Sequence, residues 1–192
     1  MKIYMKRILI ILLSIILSFP LHSQPKNEIS IEYGQLTVPQ FAYTLSGFFG
    51  VVFSLGHFNF ENTFFLGSIG VGYDHIVNNW FEFGGNLYVD YSSSDTYTIG
   101  SDGEKTYDGK STLGVVSLMP NCKFRWFNKA HFGMYSKLGA GAGIFFDNQA
   151  QVIPVFQISP VCLEFGNEKI RGITEFGLGM QGVINIGIKR IF

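Results

Sequence analysis

Long segments that alternate apolar and polar residues, short turn clusters gathered at one end of the strand map, and a basic-then-apolar leader together predict an all-β fold: an antiparallel transmembrane β-barrel of eight strands behind a cleaved signal peptide. The leader is read first. Lys2, Lys6 and Arg7 form a positive start, Ile8 to Leu17 an apolar stretch, and Phe19-Pro-Leu-His-Ser23 a breaker with a small-residue end. Cleavage is expected between Ser23 and Gln24, leaving 1–23 as signal peptide and 24–192 as the barrel. The rival reading, a permanent anchor helix, needs ~20 apolar residues to cross a bilayer, and this run is shorter. No Cys lies near the cleavage site, so a lipid-anchored lipoprotein is not expected.

Beyond the leader the recurring signal is period two, in segments of the ~10 residues that a transmembrane strand needs. In Trp80–Tyr91, Phe81, Phe83, Leu87, Val89 and Tyr91 share one face, and Glu82, Gly84, Asn86, Tyr88 and Asp90 the other. His131–Phe146 repeats the pattern. Strands of soluble sandwiches are usually ~5–6 residues long. These runs have twelve and sixteen. Eight strands follow, at 28–36, 63–77, 80–99, 110–127, 131–147, 151–165, 170–179 and 182–192.

Three connections are very short: Asn78-Asn79, Asn128-Lys129-Ala130 and Gly166-Asn167-Glu168-Lys169. They follow the second, fourth and sixth strands and so share one end; the longer connections, 37–62 and 99–110, share the other. That is the asymmetry of periplasmic turns and outer loops. Trp80, Phe81, Trp126, Phe127, Phe132, Phe165 and Phe192 flank the short turns or the C-terminus, as an interfacial aromatic belt would.

An eight-stranded barrel is narrow and filled by side chains. Inward parity collects Glu32, Asp74, Glu82, Asp90 and Glu175 against Lys123, Arg125, Lys137, Arg171 and Lys189. Enclosed charges persist when paired, so a salt-bridge network filling the lumen is expected, and with it no porin activity. Gly70, Gly72, Gly84, Gly139, Gly141, Gly143, Gly177, Gly179 and Gly187 face inward too and leave room for long side chains. Pro154 and Pro160 interrupt the sixth strand, and the faces of Cys162 and Glu164 stay open. Cys122 and Cys162 fall on strands separated by a third, two steps of ~4.8 Å each, so free thiols are expected.

Composition bears on function class. Three of the 14 basic residues and none of the 14 acidic ones lie in the leader, so the mature chain carries net charge −3 and no nucleic-acid partner is expected. The residues indicate no catalytic, metal-binding or cofactor-binding site, and a non-enzymatic chain is expected. His22 leaves with the signal, His57 lies in a long loop, His75 points outward and His131 sits at a turn; none has a ligand-spaced partner. An alternative is a small outer-membrane barrel enzyme acting on lipid at the outer leaflet. It would draw on Ser92, Ser93, Ser94, Asp95 and His57, although such clusters at strand ends are usually solvated turns. A soluble lipocalin-like barrel would need apolar residues inside, the reverse of the charge parity.

Residues 39–60, PQFAYTLSGFFGVVFSLGHFNF, are too apolar for an ordinary loop and include Phe41, Tyr43, Phe48, Phe49, Phe53, Leu55, Phe58 and Phe60. Three readings fit: two further strands, making a ten-stranded barrel with a narrow channel; an interfacial helix or lid; or a direct contact with an extracellular partner. The helix is the expectation, because Pro39 suits a helix start and residues 40–55 would span ~24 Å.

The chain ends Gly182-Val-Ile-Asn-Ile-Gly-Ile-Lys-Arg-Ile-Phe192. Asn185, Gly187 and the terminal Phe192 resemble the signal by which the barrel-assembly machinery recognises outer-membrane proteins, with Arg190 departing from the pattern. Phe156-Gln-Ile-Ser-Pro160, Glu175-Phe-Gly-Leu-Gly179 and that last strand resemble the small outer-membrane β-barrel family common in the Bacteroidetes. The resemblance covers about forty residues closely. It implies an integral barrel in the cell outer membrane, with membrane lipid and the assembly machinery as partners; it implies no ligand. A monomer is expected.

Overall fold

A computed structural model describes residues 26–53, 58–99, 104–146 and 150–192. The expected signal peptide and His57 lie outside the described residues. Eight antiparallel strands close a barrel, each paired with its neighbours in chain order. They are β1 (Lys26–Gln35), β2 (Phe58–Ile76), β3 (Phe81–Ile99), β4 (Lys105–Asn128), β5 (Phe132–Phe146), β6 (Ala150–Gly166), β7 (Ile170–Gly179) and β8 (Ile184–Ile191). One helix, α1 (Val38–Phe53), joins β1 to β2. The barrel closes where β1 meets β8, from Glu28 opposite Ile191 to Gln35 opposite Ile184. Asn27 and Phe192 extend that seam by exchanging both backbone bonds, at 2.7 and 2.8 Å.

Local chemistry explains the tight turns. Asn78 Oδ1 accepts from the backbone N–H of Trp80 and Phe81 at 3.0 and 2.9 Å. Asn167 Oδ1 does the same for Lys169 and Ile170 at 2.9 and 2.7 Å. Each side chain stands in for a backbone carbonyl and holds the chain in reversal. At the opposite end the Met180–Val183 connection is also short. Gly182 sits there at φ 103°, where a Cβ would come within 2.2 Å of the Gln35 carbonyl oxygen.

The apolar segment is a helix, so the barrel has eight strands and the ten-stranded alternative falls. Its start carries a capping box. Thr37 Oγ1 accepts from Gln40 N–H at 3.3 Å, and Gln40 Oε1 reaches back to accept from Thr37 N–H at 3.2 Å and Leu36 N–H at 2.8 Å. The expected loops 37–62 and 99–110 are each trimmed, because β2 begins at Phe58 and β4 at Lys105. Register shifts between Glu61 and Phe64 on β2, and opposite Thr96–Tyr97 on β4, interrupt the alternation there.

Strand lengths are unequal. β3 and β4 have 19 and 24 residues, β7 and β8 only 10 and 8. The wall is therefore low at β7–β8–β1 and rises into a sheet of β2, β3 and β4 at the helix end. The apolar core inside is small: Tyr88, Val115, Met119, Val155 and Met180, with Leu113 and Phe145 packed against it. Most of the other buried side chains among the described residues are polar or charged, with Tyr135, Cys162 and Ile173 as exceptions.

Candidate functional site

Parity carries charged side chains from seven of the eight strands into one layer at the short-turn end of the lumen. Glu28, Asp74, Glu82 and Glu164 meet Lys123, Arg125, Arg171 and Lys189, all buried. Arg125 is the hub: Nη2 donates to Glu28 at 2.7 Å, Nη1 to Glu164 at 3.0 Å, and Nε to Glu82. Lys189 bridges Glu28 at 2.8 Å and Glu164. Lys123 lies 2.7 Å from Asp74. Arg171 donates to Glu164 at 2.9 Å and to Asn128 at 2.9 Å, which ties the layer to the turns. β5 joins through Tyr135, whose ring centre lies 5.3 Å from Lys123 Nζ and 5.7 Å from Lys189 Nζ. A cavity of about 360 Å³ opens at this end and reaches Glu28, Arg125 and Arg171.

The next layer holds one cation and two carboxylates. Lys137 lies 3.4 Å from Glu32 and 2.8 Å from Glu175. Neutral donors supply the difference. Glu32 accepts from Tyr88 at 2.5 Å, Ser30 at 2.7 Å, Gln181 at 2.8 Å and Asn185 at 2.9 Å; Glu175 accepts from Tyr135 at 2.5 Å. A carboxylate with this many donors is well solvated by protein alone.

All ten charged residues assigned inward by parity are buried. The expected balance of five against five is corrected, among the described residues, to seven acids against five bases, because Glu28 and Glu164 are also buried. Glu28 stood at the edge of its predicted strand. Glu164 follows a register shift between Ile158 and Val161 that switches the inward positions of β6 from Ser159 to Cys162. Cys162 is buried, Cys122 partly so, and both thiols are free.

The helix end of the lumen is built differently. Beside its apolar cluster lie buried Ser68, Ser92, Ser94 and Asp90, the last paired across the sheet with Val115. Among the described residues, Asp90 is the buried carboxylate outside any ion pair. Its Oδ2 accepts from Thr37 Oγ1 at 2.6 Å, at the positive end of α1. Tyr43, in the second turn, shares a 2.6 Å hydrogen bond with Ser94 Oγ and donates to the Ser111 carbonyl at 3.1 Å. The start of α1 is thus fastened into the barrel mouth by partners on β3 and β4.

Two members of the cluster weighed for catalysis have partners elsewhere in the fold, while the buried Ser92 hydroxyl has none among the described residues. Ser94 is bound to Tyr43, and Asp95 accepts from Asn62 at 2.9 Å. His75 lies 3.0 Å from Asn27 Oδ1, and His131 lies 3.0 Å from the Gly166 carbonyl. Among the described residues no three His, Cys, Asp or Glu gather as metal ligands.

The outward wall is the inverse of the lumen. Ile31, Val71, Leu118, Ile158, Ile186 and Ile188 are among many large apolar side chains exposed there. Carbonyls released by the register shifts are met from within the wall. Ser136 Oγ donates to the Pro160 carbonyl at 2.6 Å and accepts from Trp126 Nε1 at 2.8 Å; Tyr33 Oη donates to the Leu66 carbonyl at 3.0 Å. Near the short turns the rings associate in series: Trp80, Phe81 and Phe124 pack together, and Phe132 lies 5.7 Å from Phe127 and 5.1 Å from Phe165. No family model matches the chain, and no curated protein matches it either.

Proposed function

We propose that this chain is an integral outer-membrane β-barrel with a filled lumen, a non-enzymatic envelope protein that presents α1 and the raised β2–β4 sheet at the cell surface, and not a porin. The observation that carries the reading is the inversion of polarity, with ion pairs inside and an apolar wall outside. A wall of that extent in water would far exceed the few hundred Å² of contiguous apolar surface that soluble monomers tolerate. Hydrocarbon removes the conflict. It also gives a reason for the bonds to the Pro160 and Leu66 carbonyls, since an exposed carbonyl in water needs no protein partner, whereas in lipid it has no other. Strand length agrees: a tilted span needs about 9–11 residues, and β1 and β7 each have 10.

The aromatic series near the short turns then lies at the periplasmic interface. The proposal includes membership of the Bacteroidetes-type small barrel family and delivery by the assembly machinery through the strand ending at Phe192. Fractionation tests the reading. The protein should sediment with outer membranes, resist carbonate extraction and run at different positions in detergent gels before and after boiling. Recovery as a soluble periplasmic protein would overturn it. Deleting Phe192 should lower outer-membrane levels without altering signal cleavage.

A further inference from the structure

The exposed side of α1 is unusual for a surface helix. None of its 16 residues is charged, whereas a helix between a protein and water carries charge on its outer face. Its rotation is fixed, because Thr37 and Tyr43 are held on the barrel side by their bonds to Asp90 and Ser94, and Gln40 is buried. What remains outward includes Phe41 and Leu45, one turn apart and 44 % and 53 % exposed. Leu36 before the helix and Phe64 on β2 are exposed beside it. Below them the outward apolar residues of β1 and β2, Tyr33, Ile31, Ile69 and Val71, continue without a charged residue between.

We propose that α1 lies in the outer leaflet, and that its Phe41–Leu45 face is a lipid-contacting surface continuous with the barrel wall. The inference rests on the membrane reading and adds an in-plane anchor to it. A helix of this length is too short to span a bilayer, yet an apolar stripe of it can sink into the boundary between headgroups and acyl chains. Such helices usually turn a charged face to water. Here the polar face is turned to the barrel mouth, and Asp90, Ser94 and the Ser111 carbonyl take the place of water.

Single-tryptophan fluorescence separates the inference from its foundation. With Trp80 and Trp126 replaced by Phe, a tryptophan is introduced by Leu45→Trp, and in separate chains by Phe41→Trp or, on the barrel wall, by Val71→Trp. Each chain is reconstituted in phosphatidylcholine vesicles with and without dibrominated acyl chains, after heat-modifiability has shown that it folds. Leu45→Trp should lose emission to the brominated lipid as deeply as Val71→Trp does, and resist quenching by aqueous iodide. Quenching of Val71→Trp alone, with both helix reporters open to iodide, would overturn the leaflet position of α1 and leave the barrel reading intact. Iodide quenching of all three would overturn both. Phe41→Trp serves if Leu45→Trp does not fold.

Discussion

The two ends of the lumen solve the same problem, closing a polar tube, with different chemistry. At the short-turn end four acids and four bases from seven strands interlock around Arg125. At the helix end a neutral lining of serines and a few apolar side chains is capped by α1, which is held through Asp90 and Tyr43. The ionic end is crosslinked in every direction, so removing one member strands several others. The capped end depends on a few bonds between a helix and a rim. One end is built as a fixture and the other as an attachment.

The largest effect should come from the hub. Arg125→Ala leaves Glu28, Glu82 and Glu164 facing one another with one cation fewer, and breaking a buried pair of this kind typically costs ~3–5 kcal/mol. The measurement is the urea midpoint at which the heat-modifiable band is lost in detergent or vesicles. A cost no greater than that of a mouth variant would erase the contrast between the ends. Next is Gly70→Ala. A Cβ there would fall 2.1 Å from the Tyr88 ring, and Tyr88 is the donor that meets Glu32 at 2.5 Å. Displacing the ring should cost about 1–3 kcal/mol, the usual penalty for overpacking. An unchanged midpoint would mean that Tyr88 is not wedged between Gly70 and Glu32.

How far this was readable in advance follows from the same chemistry. Alternation assigned Lys123, Arg125 and Lys137 to the lumen because β4 and β5 stay in strict period two over the wall. It missed Glu164 because the shift near Pro160 reverses parity halfway along β6, and proline marks such a disturbance without fixing its direction. The upper parts of β2 and β4 were hidden for another reason: the register shifts between Glu61 and Phe64, and opposite Thr96–Tyr97, cut these ends off from the continuous alternation of the wall. The helix start was read from Pro39 alone, and the Thr37–Gln40 spacing of the capping box went unread although both residues stand three apart before an apolar run. That the cap bonds to Asp90, 53 residues away, is tertiary information that no local pattern carries.

A smaller effect is expected at the mouth. Asp90→Asn removes the negative charge at the positive end of α1 and weakens the acceptor of the Thr37 hydroxyl. Interactions of this type are worth about 0.3–2 kcal/mol, and here they act on the helix and not on the barrel. Limited proteolysis should therefore cut within 38–53 faster than in the parent chain, while the urea midpoint of the barrel moves little. A midpoint loss as large as that of Arg125→Ala would show that the two ends unfold as one unit.

The smallest expected effect is none, and it concerns permeation. Replacing residues 40–55 with a short Gly/Ser linker removes the cap but leaves both charged layers in place. Glu32 and Glu175, with Lys137 between them, still cross the lumen, and the Arg125 layer lies beyond. A narrow barrel with such a filling offers no continuous water path. Planar bilayers should therefore show no stable conductance for either the parent chain or the replacement. A steady current in the replacement alone would make α1 the gate and the charged layers permeable, reversing the roles assigned to the two ends. Current in both chains would mean that water crosses the ion pairs even with the cap in place, and the porin-free reading would fall.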